Sequence, residues 1–245
     1  MTDMRSKSTV IITGASSGIG YAAAKMYNDN GYNVIGLDLN GGNFEFPVIQ
    51  CDVSNEDSVR CAFDCIRNKT TSIQYLVNCA GVFFVNHRNT IDSMSVEEWD
   101  AVYRNNTTSV LLVTKYALPL MREFAGDKAI INISSDQARY PRRRNAAYAV
   151  SKGAIEVLSK TCAVELLEES IRVNSIEIAS VKTKFIRKLS GSIQRENEIY
   201  TKENEKMPLG LILPEDVSET IFFLGSEKAC RITGQTLLID SGLYL

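Results

Sequence analysis

At 245 residues the chain is long for one ordinary domain and short for two, and a single α/β layer structure suits that length. Apolar residues at 44% and charged residues at 23% match an average globular composition, which excludes disordered and fibrous classes. A formal net charge of -2, with acids and bases interspersed, offers no footprint for nucleic acid or an anionic membrane, so small molecules are the expected partners.

Residues 1–7 lack the apolar stretch of a signal peptide, and no run reaches the ~18 apolar residues of a membrane span, so the expected location is the cytoplasm. Apolar runs rich in β-branched residues at 9–13, 33–38, 47–51, 73–78, 129–134, 171–178 and 236–240 predict strands buried on both faces. Helical spacing fills the intervals. Ser54 with Asp57 and Ser95 with Glu98 are spaced as capping boxes, and Pro214 suits a first helical position. Gly31 suits a left-handed cap ending the first helix. A further helix is expected from 146 to about 168. This alternation implies right-handed crossovers and one domain over 1–245, a doubly wound α/β fold with about seven parallel strands and helices on both faces. Residues 184–213, charged and weakly periodic, break the rhythm after the sixth strand. They read as a substrate lid or as a plain surface insertion. Six cysteines, at 51, 61, 65, 79, 162 and 230, keep no regular pairing interval, and His87 has no ligand set nearby. All are expected to be buried or inert, with no metal site.

The first strand runs into Thr13-Gly14-Ala15-Ser16-Ser17-Gly18-Ile19-Gly20, after which helical spacing begins. Gly14 permits a tight turn, Gly18 lets backbone approach a pyrophosphate, and Gly20 lets the helix pack closely on the strand. The helix N-terminus would aim N–H groups and partial positive charge at the phosphates. Gly14, Ser16, Ser17, Gly18, Ile19 and Gly20 are therefore candidate cofactor contacts. Asp38 ends the second strand, 18 residues after Gly20, where its carboxylate could accept both adenosine ribose hydroxyls and repel a 2′-phosphate. No Arg or Lys lies in the glycine loop or at the two positions after Asp38, so NAD is favoured over NADP. The plainer reading of Asp38 is a solvated strand end.

Tyr148 and Lys152 are four apart at the start of a predicted helix, so both project from one face. A phenol titrates near ~10, and a neighbouring cation could lower it by about 1 to 3 units into a range useful for acid/base work. Such a pair is common by chance. In order and spacing, however, residues 13–20, Asn78-Cys79-Ala80-Gly81, Asn106, Ser135 and Tyr148-Ala149-Val150-Ser151-Lys152 together resemble the short-chain dehydrogenase/reductase family over nearly the whole chain.

The resemblance implies a Rossmann-type fold and a catalytic set of Asn106, Ser135, Tyr148 and Lys152. Ser135 would hydrogen-bond the substrate oxygen and Tyr148 would transfer the proton. Lys152 would hold the nicotinamide ribose and lower the tyrosine pKa, while Asn106 would anchor a water relaying protons to Lys152. Asp52 and Val53 should meet the adenine, Asn78, Ala80 and Gly81 should line the cofactor, and Thr183 should lie near the carboxamide. Asn78 also suits a strand-terminal capping role. The expected activity is NAD(H)-dependent interconversion of a secondary alcohol and a ketone on a small metabolite, by a homodimer or homotetramer. A carrier-protein or CoA ketoreductase is the alternative, although Gly126 and Glu169 stand where such reductases usually carry basic residues. A non-catalytic NAD(H)-sensing protein would be expected to lose Ser135, Tyr148 or Lys152, and all three are present.

Two departures stand out. Where the family usually has Asn-x-x-x-Pro-Gly, this chain reads Asn174-Ser175-Ile176-Glu177-Ile178-Ala179, which puts the backbone path toward Thr183 in question. Arg139, Arg142, Arg143 and Arg144 crowd the loop between Ser135 and Tyr148. They could select an anionic substrate, or form a solvated surface or subunit contact.

Overall fold

The computed structural model describes residues 8–83, 89–183 and 193–245. His87, the N-terminal residues 1–7 and the first part of the expected lid lie outside them. The β-branched runs form β1 (Thr9–Thr13), β2 (Asn33–Asp38), β4 (Pro47–Gln50), β5 (Tyr75–Asn78), β6 (Lys128–Ile133), β7 (Ile171–Ile178) and β8 (Thr236–Ile239). All seven are parallel, in the order β4-β2-β1-β5-β6-β7-β8. An unexpected two-residue strand, β3 (Gly42–Asn43), pairs antiparallel with β4 and closes that edge.

Period-two alternation splits the core into two layers. Val10 and Ile12 of β1 face the layer shared with Ala23 and Tyr27 of α1 (Gly18–Asp29) and Ile221 of the last helix. Ile11 faces the opposite layer, with Phe63 of α2 (Glu56–Arg67), Val113 of α4 (Ser109–Arg122) and Ala163 of α5 (Ala146–Glu165). The remaining helices are α3 (Val96–Tyr103), α6 (Ile193–Asn204) and α7 (Pro214–Gly225). With helices on both faces, the sheet is the Rossmann-type doubly wound arrangement.

Local signals match in part. Gly31 takes φ +86 after α1, and Ser95 accepts the Glu98 N–H at the start of α3. Pro214 opens α7, where the Asp216 carboxylate accepts the Leu213 N–H at 2.7 Å. The expected cap at Ser54 is a correction: α2 starts one residue later, with Asn55 accepting the Ser58 N–H at 3.0 Å, because Ser54 is taken up by Asp52. Of the six cysteines, Cys51 is buried, Cys79 and Cys162 are half-buried, and Cys61, Cys65 and Cys230 are exposed. No helix among the described residues is long and apolar enough to cross a membrane.

Candidate active site

Parallel strands with β1 flanked by β2 and β5 open a crevice beyond their carboxyl ends, where the strand order reverses across the sheet. The glycine loop lines it. Gly14 has φ +70, and a Cβ there would press the Ala80 backbone at 3.2 Å. A Cβ on Gly18, at φ +55, would meet the Thr183 methyl at 3.3 Å, and one on Gly20 would overlap the Gly14 carbonyl oxygen. These glycines thus let loop, helix and the 179–183 segment close on one another. Thr13 Oγ1 accepts the Cys79 and Ala80 N–H groups, each at 3.0 Å, tying the Asn78–Gly81 turn to the loop. Ser17 occupies the N-cap of α1 without a side-chain capping bond, so first-turn N–H groups face the crevice.

Asp38 uses one carboxylate oxygen on the Ser16 N–H at 3.1 Å and the other on the Asn40 N–H at 2.9 Å. Each oxygen keeps a further acceptor site. Asp52 accepts the Ser54 N–H and hydroxyl at 2.9 and 2.7 Å, and Val53 packs on the core beside it. Asn78 is buried and donates to Asn132 Oδ1 at 2.8 Å, while Asn132 donates to Ser159. The Asn78 amide therefore ties sheet to α5. The altered segment after β7 still reaches the crevice: the Ala179 N–H donates to Ile239 O at 3.0 Å, and Thr183 is held through backbone N–H and C=O by the Tyr200 hydroxyl of α6. Glycine cradle, helix N-terminus and strand-end carboxylate together fit a nicotinamide dinucleotide.

Asn106 lies in a π-helical turn, residues Arg104–Thr108, that joins α3 to α4. The extra residue in that turn rotates Asn106 inward, to 0% exposure. Its amide accepts the Val82 N–H at 2.8 Å and donates to Val82 O and Ser151 Oγ. A Cβ on Gly81 would sit 3.2 Å from Asn106 Oδ1 and 3.4 Å from Lys152 Nζ, so the two side chains meet across that glycine.

Ser135 follows β6 at the start of a single 3-10 turn, and Tyr148 and Lys152 rise from the first turns of α5. Lys152 Nζ donates to Ile133 O at 2.9 Å and lies 5.8 Å from the Tyr148 ring centre. Burial pulls Lys152 down to about 8. Burial also pushes Tyr148 up to about 12, with the Ser135 hydrogen bond and the Arg142 charge opposing it and Asp136 adding to it. This corrects the expected depression of the phenol. Desolvation outweighs the nearby cations, and the Lys152 ammonium is turned toward a carbonyl. Phe83 packs edge-on against Tyr148 at 4.7 Å. With Met94, Val102, Ala147 and Arg144 they line a cavity of about 290 Å³.

The arginine run is divided. Arg139 lies 3.2 Å from the enclosed Glu177, and Arg142 lies 3.1 Å from the buried Asp136. Arg144, at φ +62, is the member that borders the cavity. Asp136, Glu177 and Tyr244 take part in this surround without having been anticipated, because no local motif marks them.

A protein-family model described as enoyl-(acyl carrier protein) reductase matches residues 14–244. Glucose 1-dehydrogenase 2 of Bacillus subtilis is 30% identical over 97% of this chain and 95% of its own length. Aldohexose dehydrogenase of Thermoplasma acidophilum, in ligand-free form, superposes with a TM-score of 0.90 at 33% identity, covering 97% of this chain and 94% of that one. The 3-ketoacyl-(acyl-carrier-protein) reductase of Brucella melitensis, complexed with NADH, gives a TM-score of 0.84 at 26% identity over 97% and 98% of the two chains. With this fold, the crevice at its switch point and these relatives, the chain belongs to the short-chain dehydrogenase/reductase family, oxidoreductases that use a nicotinamide cofactor on small molecules.

Proposed function

We propose that the protein is an NAD(H)-dependent dehydrogenase that interconverts a secondary alcohol and a ketone on a small metabolite. The observation that carries this reading is the meeting of Ser135, Tyr148 and Lys152 at the mouth of a glycine-lined dinucleotide crevice. A bound nicotinamide supplies hydride transfer. In oxidation, Tyr148 takes the hydroxyl proton as general base while Ser135 hydrogen-bonds the same oxygen. In reduction, Tyr148 returns that proton. Lys152 contributes positive charge beneath the site, and Asn106 holds the 81–82 backbone against it. Gly14, Ser16, Ser17, Gly18, Ile19, Gly20, Ala80, Gly81 and Thr183 would hold the dinucleotide, with Asp52 and Val53 at the adenine.

The choice of NAD rests on Asp38, flanked by Leu39 and Asn40 and therefore without a counter-charge for a 2′-phosphate. Among the cavity walls, Phe83, Met94, Val102 and Ala147 favour a substrate with a hydrocarbon face beside its hydroxyl. The carrier-protein reading is disfavoured because Glu169 is acidic and paired with Arg122 at 2.7 and 2.9 Å. Val150, Val157 and Val164 repeat at seven residues on the exposed face of α5, and Leu111 of α4 is likewise exposed. That stripe supports a homo-oligomer built on these helices.

A screen of secondary alcohols, polyols and hydroxy acids with NAD and NADP, followed at the nicotinamide absorbance, tests the reading. Tyr148→Phe should lose at least about 100-fold in kcat. Equal turnover by Tyr148→Phe would overturn the mechanism, and tighter binding of NADPH than NADH would overturn the cofactor choice.

A further inference from the structure

Asp136 follows Ser135 directly, is 2% exposed, and is gripped from three sides. Ser135 Oγ donates to its Oδ1 at 3.0 Å. Its Oδ2 receives the Arg142 guanidinium at 3.1 Å and the hydroxyl of Tyr244, 108 residues further along the chain, at 2.6 Å. The tail that brings Tyr244 there is built for the purpose of holding a fixed shape. Asp240 accepts the Gly242 and Tyr244 N–H groups, Ser241 and Gly242 take φ of 54 and 80, and the Tyr244 ring stacks on Tyr140 with centres 3.8 Å apart.

A serine hydroxyl has one proton and two lone pairs. A charge-assisted bond to a buried carboxylate is the strongest use of that proton, and one lone pair accepts the Gln137 N–H at 3.3 Å, so Ser135 offers the crevice its remaining lone pair. An alcohol can donate to that lone pair, whereas a ketone must draw the proton away from Asp136. Resting on the dehydrogenase reading above, we propose that Asp136, fixed by Arg142 and the C-terminal Tyr244, is a positioning residue that holds Ser135 as a hydrogen-bond acceptor and so favours binding of the alcohol over the ketone. The C-terminal segment is thereby part of the active site. Arg142 serves this carboxylate and not an anionic substrate.

The test needs one readout on the protein alone and one under turnover. In protein carrying tyrosine labelled with ¹³C at the ζ carbon, the Tyr148 resonance is assigned with Tyr148→Phe and followed against pH. The charged and polar groups facing that phenol are Ser135, Asp136, Arg142 and Lys152. Asp136→Asn removes a negative charge and frees the Ser135 proton for the phenolate, so the Tyr148 titration should move down by about one unit. Tyr244→Phe keeps the charge and removes one of the two groups that fix Asp136, so the hold on Ser135 loosens and the titration should move down by less than in Asp136→Asn. No shift in Asp136→Asn, or no shift in Tyr244→Phe, would overturn the proposal.

With substrates in hand, Asp136→Asn should raise KM for the alcohol about tenfold while KM for the ketone is unchanged or lower. Equal rises in both would likewise overturn it. An unmodified protein that turned over no alcohol or ketone would defeat the dehydrogenase reading alone, because the labelled-tyrosine titration reports on Asp136 without cofactor or substrate.

Discussion

Glu177→Gln tests the cost of a carboxylate enclosed without hydrogen-bond partners. Glu177 lies on β7 at 0% exposure with both carboxyl oxygens lacking a hydrogen bond, and Arg139 is the one cation beside it among the described residues. Burial, followed by the charge of Glu156 on α5, pushes Glu177 up to about 7. An unfolded glutamate titrates near ~4.3. The folded state therefore binds the extra proton between these values, and stability falls as pH rises through that window. The loss is complete above about pH 7. A shift of two to three units corresponds to about 3 kcal/mol, reduced to about 2 by the half-exposed Arg139. Glutamine offers a permanent N–H donor to Glu156 without the charge. Urea unfolding should show Glu177→Gln more stable than the wild type by about 2 kcal/mol at pH 8 and nearly equal at pH 5. In heating, that gain corresponds to about 4–8 °C in Tm. A variant less stable at pH 8, or a difference independent of pH, would refute the raised titration of Glu177.

Asp38→Asn keeps an acceptor for the Ser16 N–H while removing the charge that repels a 2′-phosphate, so NADPH affinity should rise about tenfold relative to NADH in a nicotinamide fluorescence titration. Asp127→Ala should cost about 3–5 kcal/mol in urea unfolding, because it strands the buried Arg172, now bound bidentately at 2.8 and 2.7 Å. Val157→Glu with Val164→Glu should shift the protein to monomer in sedimentation velocity, since a carboxylate in the exposed α5 stripe opposes any apolar contact there.

The parts legible in the sequence were those written in consecutive residues. The seven parallel strands followed from β-branched runs, and the glycine loop and the Tyr148/Lys152 pair from spacing within one strand-turn-helix unit or one helix turn, whereas Ser135 came only with the family resemblance. Strand β3 escaped because two residues, Gly42–Asn43, carry no period, and its pairing depends on the neighbouring β4 edge. The π turn at Asn106 is invisible for a similar reason: one extra residue per turn leaves the apolar pattern of 96–122 nearly unchanged. The arginine run left two readings open because a count of charges does not say which acids are buried beneath it. Asp136 and Glu177 come from separate elements, and Tyr244 reaches Asp136 only through the finished fold.

Burial acts on the central pair from opposite sides, lifting the Tyr148 phenol to about 12 and lowering the Lys152 ammonium to about 8. Both shifts favour neutral groups, so the cleft resists holding net charge. A phenol at about 12 is almost wholly protonated near neutrality, and of the protein groups that oppose its burial, Ser135 has its proton on Asp136 and Arg142 is paired with the same carboxylate. The fold thus keeps Tyr148 protonated until positive charge enters beside it. On the dehydrogenase reading, an oxidised nicotinamide ring would carry such a charge, so proton abstraction from an alcohol would require prior occupation of the dinucleotide crevice. On the dehydrogenase reading, the glycine loop and α5 would then form one device, because occupation of the crevice would also decide when Tyr148 can work as a base.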